Sequence, residues 1–136
     1  MKICICTSLT FTDEALALQK ELEALGHEVL MPNGVINGLR KRPIINPILA
    51  KTETDAITKH IDKIRESDAI LVCNYSKRGI DNYIGANTFI EMAAAHYFGK
   101  PIFVLNELPQ QDYIRDELLA FDNMTVLDGD LTRIEV

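Results

Sequence analysis

Short apolar runs and longer amphipathic stretches take turns along this chain. Lys2 to Thr7 (KICICT) is apolar and rich in β-branched residues, which predicts a first strand buried on both faces. Thr7, Ser8, Thr10 and Thr12, followed by Asp13 and Glu14, read as a helix start. Hydroxyls there cap free N–H groups, and acids suit the positive end of the helix dipole. Ala15, Leu18, Leu22 and Leu25 then form the apolar stripe of an amphipathic helix, which Gly26 ends. Glu28 to Met31 predicts a second strand. Thr52 to Ser67 reads as a helix with Ile57, Ile61 and Ile64 on one face. Ala69 to Asn74 (AILVCN) is a continuous apolar run, as in a central strand. A helix follows from about Thr88 to Phe98, closed by Gly99 and Pro101, then a strand at Ile102 to Leu105. Tyr113 to Phe121 predicts a last helix and Met124 to Leu127 a final strand.

Alternation of strand and helix predicts the α/β class, with right-handed crossovers and helices on both sides of a parallel sheet. The expected fold is a single three-layer domain over residues 1–136, flavodoxin- or Rossmann-like, with five strands in the order 2-1-3-4-5. Ligands in such sheets bind beyond the carboxyl ends of the strands, near the switch between strands one and three. That edge falls at Thr7 to Thr12, Asn74 to Glu91 and Asn106 to Pro109. The irregular stretch from Pro32 to Ala50, which carries Arg40, Lys41 and Arg42, starts at the same edge and reads as a lid or an insertion.

Composition narrows the function classes. The chain has 136 residues, 47% apolar and 25% charged, enough for one domain with its own core. A net charge of -6 and a pI near 5.0 argue against nucleic acid as a partner, since that needs a basic face. No apolar run approaches the ~20 residues of a membrane span, so no membrane partner is expected. Cys4, Cys6 and Cys73 are odd in number, and no signal peptide is evident, which suggests a reducing cytoplasm. Cys4 and Cys6 share one face of their strand and read as small buried side chains. Without a Cys-x-x-Cys pair or a matching His pair, no metal is implied, and no other cofactor is expected.

The segment from Asp81 to Glu91 carries most of the candidate chemistry. Gly85 permits a tight backbone, Asn87 or Thr88 can cap the following helix, and free N–H groups at its start suit an anion. Thr88-x-x-Glu91 matches a capping box, so Glu91 is either a helix-closing side chain or a catalytic carboxylate. Met92 to Ala95 is small and apolar, suited to close packing on the sheet. Asp81 is a second carboxylate able to protonate a leaving group, or a solvated neighbour of Lys77 and Arg78. Tyr83 either stacks on a ligand or packs plainly. Asp68 begins a strand and so belongs to the opposite edge as a structural residue. His60 is either a half-exposed helix residue or a proton donor and acceptor.

Over roughly residues 1 to 107, the order of these pieces resembles the nucleoside 2-deoxyribosyltransferase-like superfamily. Glu91 with its small-residue helix and Gly99-Lys100-Pro101-Ile102 resemble that family's Glu…Gly-Lys-Pro pattern. Ser67-Asp68-Ala69-Ile70-Leu71-Val72 is similar to its Ala-Asp followed by a central strand. The resemblance implies a nucleophilic Glu91 that attacks the anomeric carbon of a nucleoside, nucleotide or related ribosyl compound. It implies Asn82, Gly85, Asn87 and Thr88 as substrate contacts, joined at the same edge by Thr7, Ser8, Tyr83 and Asn106. His60 stands where the family has an Asp, and His60 or Asp81 would move protons. Thr7-Ser8-Leu9 replaces the family's Gly-Pro turn, and the loop before Glu91 differs from the transferases' Gly-Thr loop, which suggests a separate branch. A homo-oligomer is implied as well. Two readings from other classes remain open: a non-catalytic nucleotide-binding or signalling module, and a flavodoxin-like FMN binder.

Overall fold

A computed structural model describes residues 1–32 and 56–135 of the chain. The expected lid at 32–50, with its basic cluster, lies almost wholly outside these residues, as does the start of the helix expected from Thr52. In chain order the elements are β1 (Lys2–Cys6), α1 (Thr12–Ala24), β2 (Glu28–Leu30), α2 (Ala56–Glu66), β3 (Ala69–Val72), α3 (Ala86–Tyr97), β4 (Ile102–Val104), α4 (Arg115–Ala120) and β5 (Met124–Val126). Single turns of 3-10 helix at Leu9–Phe11 and Leu131–Arg133 lie between Ser8 and α1 and near the end of the chain.

The five strands form one sheet in the order β2-β1-β3-β4-β5, with every neighbouring pair parallel, as the alternation predicts. β1 is flanked on both sides: Cys4 lies opposite Leu30 of β2 and Ile70 of β3, and Cys6 opposite Val72. Side chains alternate across a strand, so β1 feeds two cores. Ile3 and Ile5 join Ala15, Leu18 and Leu22 of α1 and the C-terminal Leu131 and Ile134 on one face. Cys4 and Cys6 join Ile64 of α2, Met92 and Ala95 of α3 and Leu118 of α4 on the other. Of the residues after Glu91, Met92 and Ala95 pack on that face, while Ala93 is exposed.

Two local expectations are corrected. Helix α3 begins at Ala86 with Gly85 as its N-cap, so Thr88 is a buried residue of the first turn and neither it nor Asn87 caps the helix. Gly85 has φ -80° and ψ 170°, ordinary extended backbone, so the tight geometry of the loop is not its doing. It falls instead on Asn82 (φ 57°) and Arg78 (φ 55°), side chains in the left-handed region where asparagine is tolerated best. Asp68 does belong to the opposite edge: its carboxylate accepts the Lys2 amide at 2.7 Å, and its own amide donates to the Lys2 carbonyl at 2.8 Å. Among the described residues no helix is long and apolar enough to cross a membrane.

Candidate active site

Helix α2 is turned differently from the face its isoleucines suggest. Ile57 is exposed, while His60 and Ile64, one helical turn apart, are buried against the sheet. His60 therefore faces the same side of the sheet as Cys4 and Cys6. It is not the half-exposed side chain that a polar helix position suggests.

Glu91, in the second turn of α3, meets it there. The His60 Nε2 and Glu91 Oε2 atoms are 2.7 Å apart, with side-chain exposures of 7% and 12%. The same Nε2 lies 3.5 Å from Cys4 Sγ and 3.5 Å from Cys6 Sγ. Cys6 closes β1, so the cluster sits toward the carboxyl end of the sheet, near the switch between β1 and β3. Glu91 thus spends its carboxylate on a neighbouring helix rather than on a capping box.

Each group changes the others' protonation. Burial pulls the His60 imidazole down, but the Cys4 sulfur and the Glu91 carboxylate outweigh it and raise the ring from 6.5 to about 10. The neighbouring Cys6 thiol brings Cys4 from 9.0 down to about 6, aided by His60 and opposed by burial. Burial drives Cys6 the other way, well above 9.0. One ring nitrogen, Nδ1, is buried without a hydrogen-bond partner among the described residues. A protonated ring thus buries one unmatched N–H, a cost set against its two anionic neighbours.

The remaining candidates fall into three groups. Ser8, Lys77, Tyr83 and Gly85 form a polar corner at the sheet edge. Lys77 Nζ lies 3.2 Å from Ser8 Oγ and 5.9 Å from the centre of the Tyr83 ring, and a side chain added at Gly85 would touch that ring at 3.4 Å. Thr7 and Asn106 serve the framework. The Thr7 hydroxyl donates to the Cys73 carbonyl at 2.9 Å, and Asn106 donates two hydrogen bonds of 2.9 Å to Asn74 and accepts one of 3.1 Å from its side chain, tying the ends of β3 and β4 together. Asp81 is exposed, accepts from Ser76 at 3.4 Å, and lines a cleft with Gly79, Ile80, Asn82 and Glu107. Asn87 is exposed at the start of α3.

One residue that sequence reading missed organises the loop in front of α3. Gln111, almost fully buried, accepts the Ile84 amide at 2.8 Å and donates to the Ile84 carbonyl at 3.0 Å and the Tyr113 hydroxyl at 2.6 Å. No periodicity marks a lone polar residue between elements.

No protein-family model matches the sequence, and neither does any curated protein. Solved structures do match. The CMP N-glycosidase BcmB of Clostridium botulinum is 20% identical with a TM-score of 0.56, over 93% of this chain and 87% of that one. A 2-deoxyribosyltransferase from Bacillus psychrosaccharolyticus is 21% identical with a TM-score of 0.51, over 76% of this chain and 71% of that one. At such identity the likeness speaks for architecture, and it agrees with the resemblance carried by Glu91, Ser67-Asp68 and Gly99-Lys100-Pro101. The chain shares the α/β fold of this CMP N-glycosidase and this 2-deoxyribosyltransferase.

Proposed function

We propose that the chain cleaves or exchanges the N-glycosidic bond of a nucleoside, nucleotide or related ribosyl compound, with Glu91 as nucleophile. The observation that carries this reading is the near-buried Glu91 carboxylate, held by His60 at the ligand edge of a fold shared with N-glycosidic-bond enzymes. A Glu91 oxygen attacks the anomeric carbon, the bond to the base breaks, and the base takes up a proton as it leaves. Water, or a second base, then releases the sugar from the carboxylate. His60, an imidazolium at neutral pH, orients the carboxylate and is the nearest proton source. Asp81 serves the same purpose only for a leaving base that reaches its cleft. Asn82, Gly85, Asn87 and Thr88 hold the sugar side, while Ser8, Lys77 and Tyr83 suit a phosphate and a base. Thr7 and Asn106 shape this edge through the backbone. The chain would act on small molecules in the cytoplasm, as a homo-oligomer and without a cofactor.

The test is turnover of a panel of nucleosides and 5′-monophosphates, beginning with CMP because a protein of this fold acts on it. Glu91→Gln should reduce kcat by at least about a thousandfold. A Glu91→Gln protein that still cleaves a proven substrate at the wild-type rate refutes the assignment. One observation favours a second reading, binding without turnover: the carboxylate is already engaged by His60 at 2.7 Å. Tight nucleotide binding with no product from any member of the panel would select it.

A further inference from the structure

We propose that Cys4, Cys6 and His60, completed by Glu91, form a tetrahedral site for a divalent cation of the zinc type. Three donor atoms of two soft and borderline kinds converge there, none more than 4.8 Å from another, all on buried residues. Both sulfurs stand 3.5 Å from His60 Nε2. A tetrahedral zinc with Zn–S of about 2.3 Å and Zn–N of about 2.0 Å has S···N edges of about 3.5 Å. Those two edges of the polyhedron therefore exist before any ion arrives. The fourth vertex is Glu91 Oε2, 2.7 Å from Nε2. A metal-bound N···O edge is about 3.3 Å, so this oxygen has to withdraw from Nε2 by roughly half an ångström as a metal replaces the shared proton, and also to swing toward the sulfurs, because Glu91 stands outside the three donors that already lie within 4.8 Å of one another.

The donor set also selects the ion. Two thiolates and an imidazole favour zinc or cobalt over magnesium or calcium, which take all-oxygen shells. Two thiolates and one carboxylate more than balance a doubly charged ion in a dry site, and binding releases to solvent the proton on His60 Nε2 together with any thiol proton still present. Nδ1 of His60 finds no acceptor among the described residues. Among the described residues the outer hydrogen bond that usually steadies a ligating imidazole is therefore missing.

Sequence spacing conceals such a site. Its sulfurs come from a Cys-x-Cys on a strand, where alternate residues share a face, and its nitrogen from a helix more than fifty residues away. In the glycosidic reading a metal-bound Glu91 cannot attack a sugar, so metal and substrate would compete for one carboxylate. The site itself does not depend on that reading.

The experiment is a Co²⁺ titration of chelator-treated, fully reduced protein without oxygen, read by absorbance and not by turnover. The expected result is one equivalent of Co²⁺ at micromolar protein, with sulfur-to-cobalt charge-transfer bands and the intense visible bands of a tetrahedral ion, both erased by Zn²⁺. Single Cys4→Ala and Cys6→Ala proteins should each lose about half of the charge-transfer intensity and bind at least tenfold more weakly. Glu91→Gln should keep the charge-transfer bands while weakening uptake, which separates oxygen from sulfur ligation without touching β1. Wild-type protein that takes up no stoichiometric Co²⁺, or takes it up without charge-transfer bands, overturns the proposal. So does uptake unchanged by both cysteine substitutions in proteins whose circular dichroism shows them folded.

Discussion

His60 is buried beside a carboxylate and two thiols, and its titration is the most direct test of that placement. In metal-free protein its ring should titrate near 10 rather than 6.5, as read from the pH dependence of its NMR signals. Glu91→Gln should lower that value by removing one of the groups that hold it up. The sign for stability follows. A histidine whose pKa is raised by folding contributes stability that is fully present below about 6.5 and is lost as the pH rises through about 10. The denaturation midpoint of metal-free wild type should therefore fall relative to His60→Gln between those values, and parallel curves would show that the ring is not held as described. The reason the burial of His60 escaped sequence reading is specific. Ile57, Ile61 and Ile64 mark a stripe that puts His60 beside the apolar face rather than on it, and the packing of α2 on α3 and the sheet rotates the helix past that stripe. Glu91 and His60 were each legible as candidates, but their pairing was not.

Elements end where their chemistry allows. Helix α3 closes with Gly99 at φ 70°, its amide bonded to the His96 carbonyl and the Lys100 amide to that of Ala95, the paired bonds of a Schellman cap. Open space surrounds the position of a side chain at Gly99, so Gly99→Ala is opposed only by the left-handed backbone. It should lower stability by about 1–2 kcal/mol in a urea titration, with the Co²⁺ spectrum unchanged. Gly-Pro punctuation made this end readable in advance. The other end was not, because Thr88 looks like a cap while the loop before it is set from a distance by Gln111. Gln111→Leu would leave the Ile84 amide and carbonyl without partners. It should cost on the order of 3 kcal/mol and speed hydrogen exchange at Ile84 more than at Leu71 in the central strand. Equal acceleration at both would mean that Gln111 does not act on the loop in particular.

Across the whole molecule the order of strands was the most legible property, since a βαβ chain with apolar runs such as AILVCN has few ways to bury them. What the runs do not encode is which side of the sheet each alternate residue serves. KICIC reads as uniformly buried, yet its isoleucines go to one core and its cysteines to the other, where α2 and α3 add His60 and Glu91. Distance along the chain separates these groups, and topology rejoins them at one edge.

The placement of all three thiols inside the sheet layers has a kinetic consequence. Cys4 and Cys6 lie on β1, Cys73 directly follows β3, and none reaches solvent to any useful degree. A thiol reagent has to wait for these two adjacent inner strands to come free of their covering helices, so the rate of labelling at saturating reagent counts large openings and ignores fraying at the ends. The protein carries an internal clock for its own unfolding, read by mass on its own cysteines.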